Sequence, residues 1–192
     1  MLIKAAVLRG IDRTGPYAKS RPLGIHEIEL APPGPGEVLV AIKAAGLCHS
    51  DLSVINGDRP RPLPMVLGHE AAGVVVSVGP GVADLTPGDH VVSVFMPNCG
   101  HCLPCAEGRP ALCEPGAEAN GAGWLSGGGS RLGPADALIH HHLGVSAFAD
   151  HAVVSRRSLV PVPRDIPLVE AALFGCAVLT GVGAVVNTAK LQ

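Results

Sequence analysis

The fold is indicated first by two β-branched runs, Gly73-Val74-Val75-Val76-Ser77-Val78 and His90-Val91-Val92-Ser93-Val94, which the turn sequence Thr86-Pro87-Gly88-Asp89 separates. β-Branched residues favour strands, and Pro-Gly marks a turn between them. Further strand-like runs lie outward from this pair, at 2–8, 25–30, 38–43, 148–154 and 159–162. Short strands at this spacing predict an all-β barrel or sandwich rather than alternating strands and helices.

Two segments depart from the strand pattern. Residues 97–147 are rich in Cys, Gly and Pro, and they contain no run long enough to predict a helix or a strand. Loops of this length inside a compact domain are usually functional or held by a cross-link. After Pro167 the apolar residues recur at helical spacing, which predicts a helix or a helix pair in the last part of the chain.

The composition excludes several classes of partner. The 192 residues carry a formal net charge of −2 and only one Trp, one Tyr and three Phe, so neither electrostatics nor base stacking favours nucleic acid. The longest uncharged apolar stretch, at 171–186, is shorter than the ~18–20 residues that span a bilayer. The first residues do not form a signal peptide. We therefore expect a soluble, cytoplasmic protein with no membrane partner.

Four of the six cysteines form a C-x2-C-x2-C-x7-C pattern, at Cys99, Cys102, Cys105 and Cys113. Four thiols this close together can converge on one tetrahedral ion, so the pattern favours a closed structural zinc site. Disulfides would need a secreted context, for which there is no signal. An iron–sulfur cluster is the stronger alternative, because C-x2-C-x2-C also opens ferredoxin motifs, although the fourth spacing is too long for them.

A second group of chemically capable residues comprises Cys48-His49-Ser50-Asp51 and Gly68-His69-Glu70. Taken singly, a cysteine or a histidine is more often a core residue than a metal ligand. Spacing alone does not connect Cys48 to His69, or either residue to Cys176. The triplet at 140–142, three consecutive histidines, we interpret as a solvated loop, because consecutive side chains point in different directions.

The chain resembles the medium-chain zinc-dependent alcohol dehydrogenases in several motifs. The pattern Gly68-His69-Glu70-x2-Gly73-x5-Gly79-x2-Val82 matches the zinc signature of that family. Cys48-His49-Ser50-Asp51, the four-cysteine segment and Phe174-Gly175-Cys176 follow the family in the same order. The resemblance implies a mainly β fold, a GroES-like β-barrel catalytic domain with a zinc-binding loop lobe.

The resemblance also implies a catalytic zinc site. Cys48, His69 and Cys176 would hold the ion and leave a fourth position for water or an alcohol, which is the arrangement that catalytic zinc needs. Together with the four-cysteine site this makes two Zn²⁺ per chain. The activity implied is oxidation of alcohols to aldehydes or ketones by hydride transfer to NAD(P), with a small-molecule alcohol or aldehyde as the other partner.

Neighbouring residues acquire roles from the same resemblance. Ser50 would accept the proton of the alcohol, Asp51 would orient His69, and Glu70 would lie behind the zinc. His49 and Thr180 would contact the cofactor. The substrate pocket would be lined by Phe95, His142 and Leu143.

The domain organisation follows from what the family has and this chain lacks. No G-x-G-x-x-G fingerprint of a Rossmann domain occurs in the chain. We therefore expect a GroES-like domain at 1–165, with its zinc lobe at 97–115, and at 166–192 a C-terminal helical stub leading towards an absent Rossmann domain. The chain alone should then be inactive. The resemblance also implies that full-length family members are homodimers or homotetramers. The alternatives are a non-catalytic zinc-stabilised domain or binding module, and a relative of the glutathione-dependent formaldehyde dehydrogenases.

Overall fold

A computed structural model describes residues 1–134 and 136–191. Its strands are β1 (Leu2–Leu8), β2 (Leu23–Glu29), β3 (Glu37–Gly46), β4 (Met65–Val66), β5 (Glu70–Val78), β6 (His90–Ser93), β7 (His140–His141), β8 (His151–Ser155) and β9 (Leu159–Pro161). Its helices are α1 (Tyr17–Ser20), α2 (His49–Ile55), α3 (Leu103–Ala106) and α4 (Glu114–Ala122), followed by a C-terminal helical segment, Leu168–Ala189. Single 3₁₀ turns lie at Pro110–Leu112 and Arg156–Ser158.

The strands form two sheets. One has the order β2-β1-β4-β7 and the other the order β8-β3-β5-β6-β9. All pairings are antiparallel except that of β4 with β7. The expected mainly β, GroES-like architecture is confirmed, and the strand-like runs named from the sequence coincide with β1, β2, β3, β5, β6, β8 and β9 to within a few residues.

The first half of β3, in the five-stranded sheet, is buried on both faces, because it sends alternate side chains to two cores. Leu39 packs with Ile3 of β1 and Val153 of β8 in the core that the two sheets share. Val38 and Val40 point the other way and pack with Val75, Val91 and Val154. Alternation along one strand therefore holds the barrel together from both sides, as the period of two requires.

The pairing of β3 with β5 determines where the site forms. Gly46, the last residue of β3, lies opposite Glu70, the first residue of β5. Cys48 follows β3 and His69 precedes β5, so two residues that are distant in sequence emerge at the same edge of the sheet. Gly68, which has φ +92°, permits this approach: a Cβ there would lie 2.6 Å from the backbone nitrogen of Phe148.

Residues 97–147 contain helix α4, although the sequence pattern predicted none there. The helix was missed because a proline, an asparagine and two glycines interrupt the alanines and glutamates of its sequence, Glu-Pro-Gly-Ala-Glu-Ala-Asn-Gly-Ala. It is stabilised at its ends instead. The sulfur of Cys113 accepts a hydrogen bond from the Gly116 N–H at the first turn, and Gly123 closes the last turn with φ 71°.

The helix predicted after Pro167 is confirmed, and it extends beyond the uncharged apolar stretch at 171–186. Leu168–Ala189 has 22 residues and is long and apolar enough, by length and composition alone, to cross a membrane, and most of its apolar part is not buried within the described chain. The apolar stretch at 171–186 alone is shorter than a membrane span. Length and composition are weak evidence for a membrane, and the absence of a membrane partner stays a prediction. The domain boundary at residue 165 likewise stays a prediction.

Candidate metal centres

The first candidate centre contains one donor atom from each of Cys48, His69, Glu70 and Cys176. These atoms lie within 4.8 Å of one another. Sulfurs bound to one tetrahedral zinc would be about 3.8 Å apart, so small movements would close the set around an ion. The structure thus brings together the three residues that spacing alone could not connect, and it adds Glu70.

Each ligand position depends on a local backbone feature. Cys48 is extended and caps the first turn of α2. Cys176 lies in a π-helical turn, Phe174–Val178, a form that occurs frequently at functional sites. Gly175 lets this turn lie against β6, since a Cβ there would overlap the carbonyl oxygen of Ser93.

Asp51 and His142 lie behind His69, away from Cys48. The Asp51 Oδ2 atom is 3.2 Å from Nδ1 of His69, and its Oδ1 atom is 3.0 Å from Nδ1 of His142. Gly68 donates its backbone N–H to Oδ1 at 2.9 Å. The two histidine contacts lie within ion-pair distance without aligned hydrogen-bond geometry, and all three side chains are buried. Nδ1 of His69 therefore faces a carboxylate, which leaves Nε2 as its metal-binding atom.

The protonation tendencies of this group follow from burial and close contacts. Burial opposes ionisation of Asp51, but the close contacts with His142 and His69, and the positive charge these rings can carry, hold the pKa of its carboxyl well below the usual range. Burial alone would lower the pKa of His69, and the contact with Asp51 raises it instead. Asp51 is therefore an anion, which is the form that orients a ligating imidazole.

The two thiols of the centre differ in acidity. Burial raises the pKa of Cys176 to about 12, and the neighbouring Glu70 and Cys48 add to the effect. Burial also opposes ionisation of Cys48, but contacts from Ser50 and the charge of His69 lower its pKa. Two thiolates and a carboxylate repel one another at this distance, and a cation between them removes the repulsion. The donor set therefore fits zinc.

The second candidate centre is the four-cysteine lobe. The sulfurs of Cys99, Cys102, Cys105 and Cys113 lie within 4.8 Å of one another, and all four residues are free of disulfides. Two backbone N–H groups donate to sulfur here in addition to that of Gly116: Cys99 donates to Cys113 at 3.2 Å, and Cys102 donates to Cys99 at 3.3 Å. Sulfurs that accept such bonds are suited to the thiolate form. An all-sulfur set with no open side fits a structural zinc ion.

The pKa values of two cysteines in the lobe, Cys99 and Cys105, are shifted in opposite directions. Hydrogen bonds, first from the backbone of His101, lower the pKa of Cys99 to about 6. Burial raises the pKa of Cys105 to about 11, and the neighbouring sulfurs add to it. A thiolate at Cys99 beside a thiol at Cys105 that resists ionisation is the state expected of a cluster before a cation neutralises it.

A pocket of about 250 Å³ opens beside the first centre. It is lined by Ser50, Arg59, Arg61, His69, Phe95, Met96, Ala117, Asn120, Leu143 and Cys176. Of the residues predicted for substrate binding, Phe95 and Leu143 line this pocket. His49 and Thr180, predicted to contact the cofactor, are both exposed.

Two expectations about the histidine triplet are wrong. His141 and His142 are fully buried rather than solvated, because the triplet contributes β7 to the first sheet. His142 does not line the pocket: it is fully buried, and its ring packs in a T-shaped pair with the His69 ring at a centroid distance of 5.6 Å. Arg59 and Arg61, which were not among the predicted site residues, also line the pocket. Both lie in the run Arg59-Pro60-Arg61-Pro62, which places two positive charges close together in a chain with few charges.

The chain belongs to the alcohol dehydrogenase GroES-like domain family, whose family model matches residues 34–164. A curated relative is S-(hydroxymethyl)glutathione dehydrogenase from Escherichia coli, which is 42% identical over 177 residues. That alignment covers 92% of this chain and 48% of the relative. The chain therefore spans about half the length of the curated relatives it matches.

Solved structures agree with this assignment. The alcohol dehydrogenase zinc-binding domain protein from Burkholderia ambifaria aligns with a TM-score of 0.88 at 38% identity, covering 100% of this chain and 50% of that one. Benzyl alcohol dehydrogenase from Acinetobacter calcoaceticus aligns with a TM-score of 0.86 at 33% identity, covering 100% and 49%. The family is thus that of the zinc-dependent alcohol dehydrogenases.

Proposed function

We propose that this chain is the metal-binding half of an alcohol dehydrogenase, with a catalytic zinc at Cys48, His69 and Cys176 and a structural zinc in the cysteine lobe. The observation that carries the proposal is the contrast between the two centres. One is closed by four sulfurs, whereas the other has donors from distant parts of the chain and lies beside a pocket. That contrast distinguishes structural from catalytic zinc sites.

The residues around the pocket have separate tasks in this proposal. When bound, zinc supplies Lewis acidity towards a hydroxyl or carbonyl oxygen. Ser50 lines the pocket beside Cys48, and its hydroxyl can accept the proton of an alcohol and pass it on. Asp51 holds the imidazole of His69 in one tautomer. Phe95 and Leu143 provide apolar walls, and the carboxylate of Glu70, within 4.8 Å of the other three donor atoms, adds negative charge to the centre.

Hydride transfer would need NAD(P), which we propose is bound by further chain that the longer relatives possess. His49 and Thr180 are exposed and available to such a cofactor. We also propose that this further chain, rather than a membrane, covers the apolar surface of Leu168–Ala189. On this proposal the 192 residues alone bind metal but do not oxidise alcohols.

Metal analysis of the purified chain tests the proposal. We expect two zinc ions per chain, one lost with Cys176→Ser and the other lost with Cys113→Ser. If the unchanged chain holds only one zinc ion, and Cys176→Ser still holds it, the alternative of a non-catalytic, zinc-stabilised module would be favoured. A brown chromophore would indicate iron–sulfur instead. Oxidation of benzyl alcohol by the isolated chain with NAD⁺ would contradict the proposed need for further chain.

A second candidate activity is that of the S-(hydroxymethyl)glutathione dehydrogenases, which the 42% identity favours. It would be tested on the product of the complete open reading frame. Faster turnover with glutathione plus formaldehyde than with benzyl alcohol would support it, and no response to glutathione would exclude it.

We propose a reducing compartment, the cytoplasm, for this chain, because all six cysteines are free thiols and at least four are arranged for metal rather than for disulfides. Fractionation of cells that express the protein, with and without carbonate washing of the membranes, tests this and the proposed absence of membrane binding. Homodimers or homotetramers are proposed only for the longer protein.

A further inference from the structure

The pocket beside the first metal centre has two arginines in its wall. Arg59 and Arg61 line it together with the ligands His69 and Cys176. The remainder of the lining near the centre is apolar or neutral, from Phe95 and Leu143 among others. Arg59 is exposed at the rim of the pocket and Arg61 is half-buried, so the cost of burying an unpaired charge falls on Arg61.

Neither guanidinium has an acidic partner within 4.0 Å in residues 1–134 and 136–191. The arginine ion pairs found there involve Arg109, Arg131, Arg156 and Arg164. Arg61 is half-buried, and its one hydrogen bond in that part of the chain goes to the Asn120 carbonyl oxygen at 3.3 Å. The Nε atom of Arg61 is buried without a partner. Donor groups and positive charge therefore remain unused beside the pocket.

The arginines are close enough to repel each other and are held on a stiff segment. Burial and then the charge of Arg59 lower the pKa of Arg61. Pro60 and Pro62 restrict the backbone on either side of Arg61, and the N–H of Arg59 donates to the Ser53 carbonyl oxygen at 2.8 Å. A stiff backbone limits the entropy lost when a ligand binds, so the segment is suited to present two guanidinium groups to an anion.

We infer that the alcohol or aldehyde bound in this pocket carries a carboxylate, which Arg59 and Arg61 recognise. The inference rests on the proposed function and names the substrate class of the same site. A carboxylate fits the planar fork of a guanidinium and would neutralise the unpaired charge. The hydroxyl end would lie at the metal centre and the apolar part against Phe95 and Leu143. A pocket of about 250 Å³ suits a small molecule of this kind.

Binding to the cobalt-substituted 192-residue chain tests the inference, with the visible absorption of Co²⁺ as the reporter. The matched ligands are 4-(hydroxymethyl)benzoate and 4-methylbenzyl alcohol, which share the hydroxymethyl ring and differ in the carboxylate. We expect the carboxylate to strengthen binding at least about tenfold at low salt. Arg59→Gln and Arg61→Gln should each remove most of that preference, while Arg164→Gln, a change in an arginine outside the pocket, should leave it intact. Added NaCl should reduce it.

Equal affinity for the two ligands, or a preference that survives the Arg59→Gln Arg61→Gln double variant, would overturn the inference and leave the proposed metal function standing. If Co²⁺ does not bind at Cys48, His69 and Cys176, the proposed function fails. The role of the two arginines can still be tested by titrating the metal-free chain with benzoate and observing binding by NMR. If Arg61→Gln does not fold, Arg61→Lys replaces it: it keeps the charge without the fork and should weaken the preference partly. An unchanged preference in both Arg59→Gln and Arg61→Lys would count against the inference.

Discussion

The carboxylate of Asp51 lies 3.2 Å from Nδ1 of His69, and both side chains are buried. Asp51 is also contacted by the N–H of Gly68, the residue that precedes the ligand. One carboxylate thus fixes both the ring and the backbone of His69. Replacement of Asp51 should therefore affect metal binding without removing a ligand.

Asp51→Asn should lower the affinity of the first centre for zinc by ~10–100-fold, as changes in residues that orient a ligating histidine do. The amide removes the negative charge that His69 faces. Competition with a chromophoric chelator measures the affinity of each centre. Asp150→Asn, which changes an exposed carboxylate beside His151, should leave both affinities unchanged. Equal affinity in the Asp51 variant would show that Asp51 does not orient His69.

Gly175→Ala should displace the π-helical turn that carries Cys176, because the added Cβ would overlap the carbonyl oxygen of Ser93. We expect a lower melting temperature and a changed Co²⁺ spectrum at the first centre. Gly181→Ala is the matched control, since among the described residues no atom outside its chain neighbours and its own helix backbone lies within 4 Å of a Cβ built there. That change should be neutral or should stabilise the chain by up to ~1 kcal/mol through helix propensity. The same spectral change in both variants would refute the proposed close contact.

Chelation of the lobe metal should lower the stability of the chain. The lobe has little apolar core of its own: of the four cysteines, only Cys113 is buried. Structural zinc in small peptides contributes roughly 10–16 kcal/mol of apparent binding free energy. Melting curves with and without a chelator measure the effect, and Cys113→Ser should reproduce it. Overlapping curves would argue against a structural metal in the lobe.

His141 should make the folded state sensitive to acid. Burial, followed by the charges of Arg131 and His140, lowers the pKa of His141 to about 3, whereas the unfolded value is about 6.5. Its neutral Nε2 atom accepts the backbone N–H of Arg131 at 3.2 Å. Between these two pKa values the unfolded chain binds the extra proton, so stability falls as the pH falls below about 6.5.

At pH 5 the loss attributable to His141 should be about 2 kcal/mol relative to pH 7, since one pKa unit corresponds to 1.36 kcal/mol. His141→Gln keeps an acceptor but cannot be protonated, so its unfolding free energy should change less between pH 7 and pH 5. Urea unfolding at both pH values measures the difference. Parallel pH dependence in the variant and the unchanged chain would contradict the prediction.

Much of the fold could be predicted because strand signals are local. β-Branched runs bounded by Gly and Pro indicated the long strands, as for β5 and β6. The two-residue strands β4 and β7 carry no such signal, and they form because neighbouring strands offer pairing partners. Helix α4 was missed for a related reason: its end contacts, at Cys113 and Gly123, outweigh its poor intrinsic propensity.

The site was predictable only in part. The four cysteines of the lobe are close in sequence, so their spacing indicated a metal. The connection of Cys48 to His69 depends on the pairing of β3 with β5, and that of Cys176 depends on the packing of a distant helix. Both were expected from resemblance alone. Neither residue spacing nor the family resemblance predicted that His142 is buried behind His69, because this burial follows from the position of β7 in the sheet.

On the proposed function, the register that places Gly46 opposite Glu70 would also make the two metal ions bind in a fixed order. The lobe needs only a short stretch of chain, so it could capture an ion while the rest is still unfolded. The first centre must wait until β3, β5 and the C-terminal helix have met, since its ligands belong to three distant segments. The lobe would thus bind its ion early in folding, and the first centre would bind its ion only after the barrel has folded.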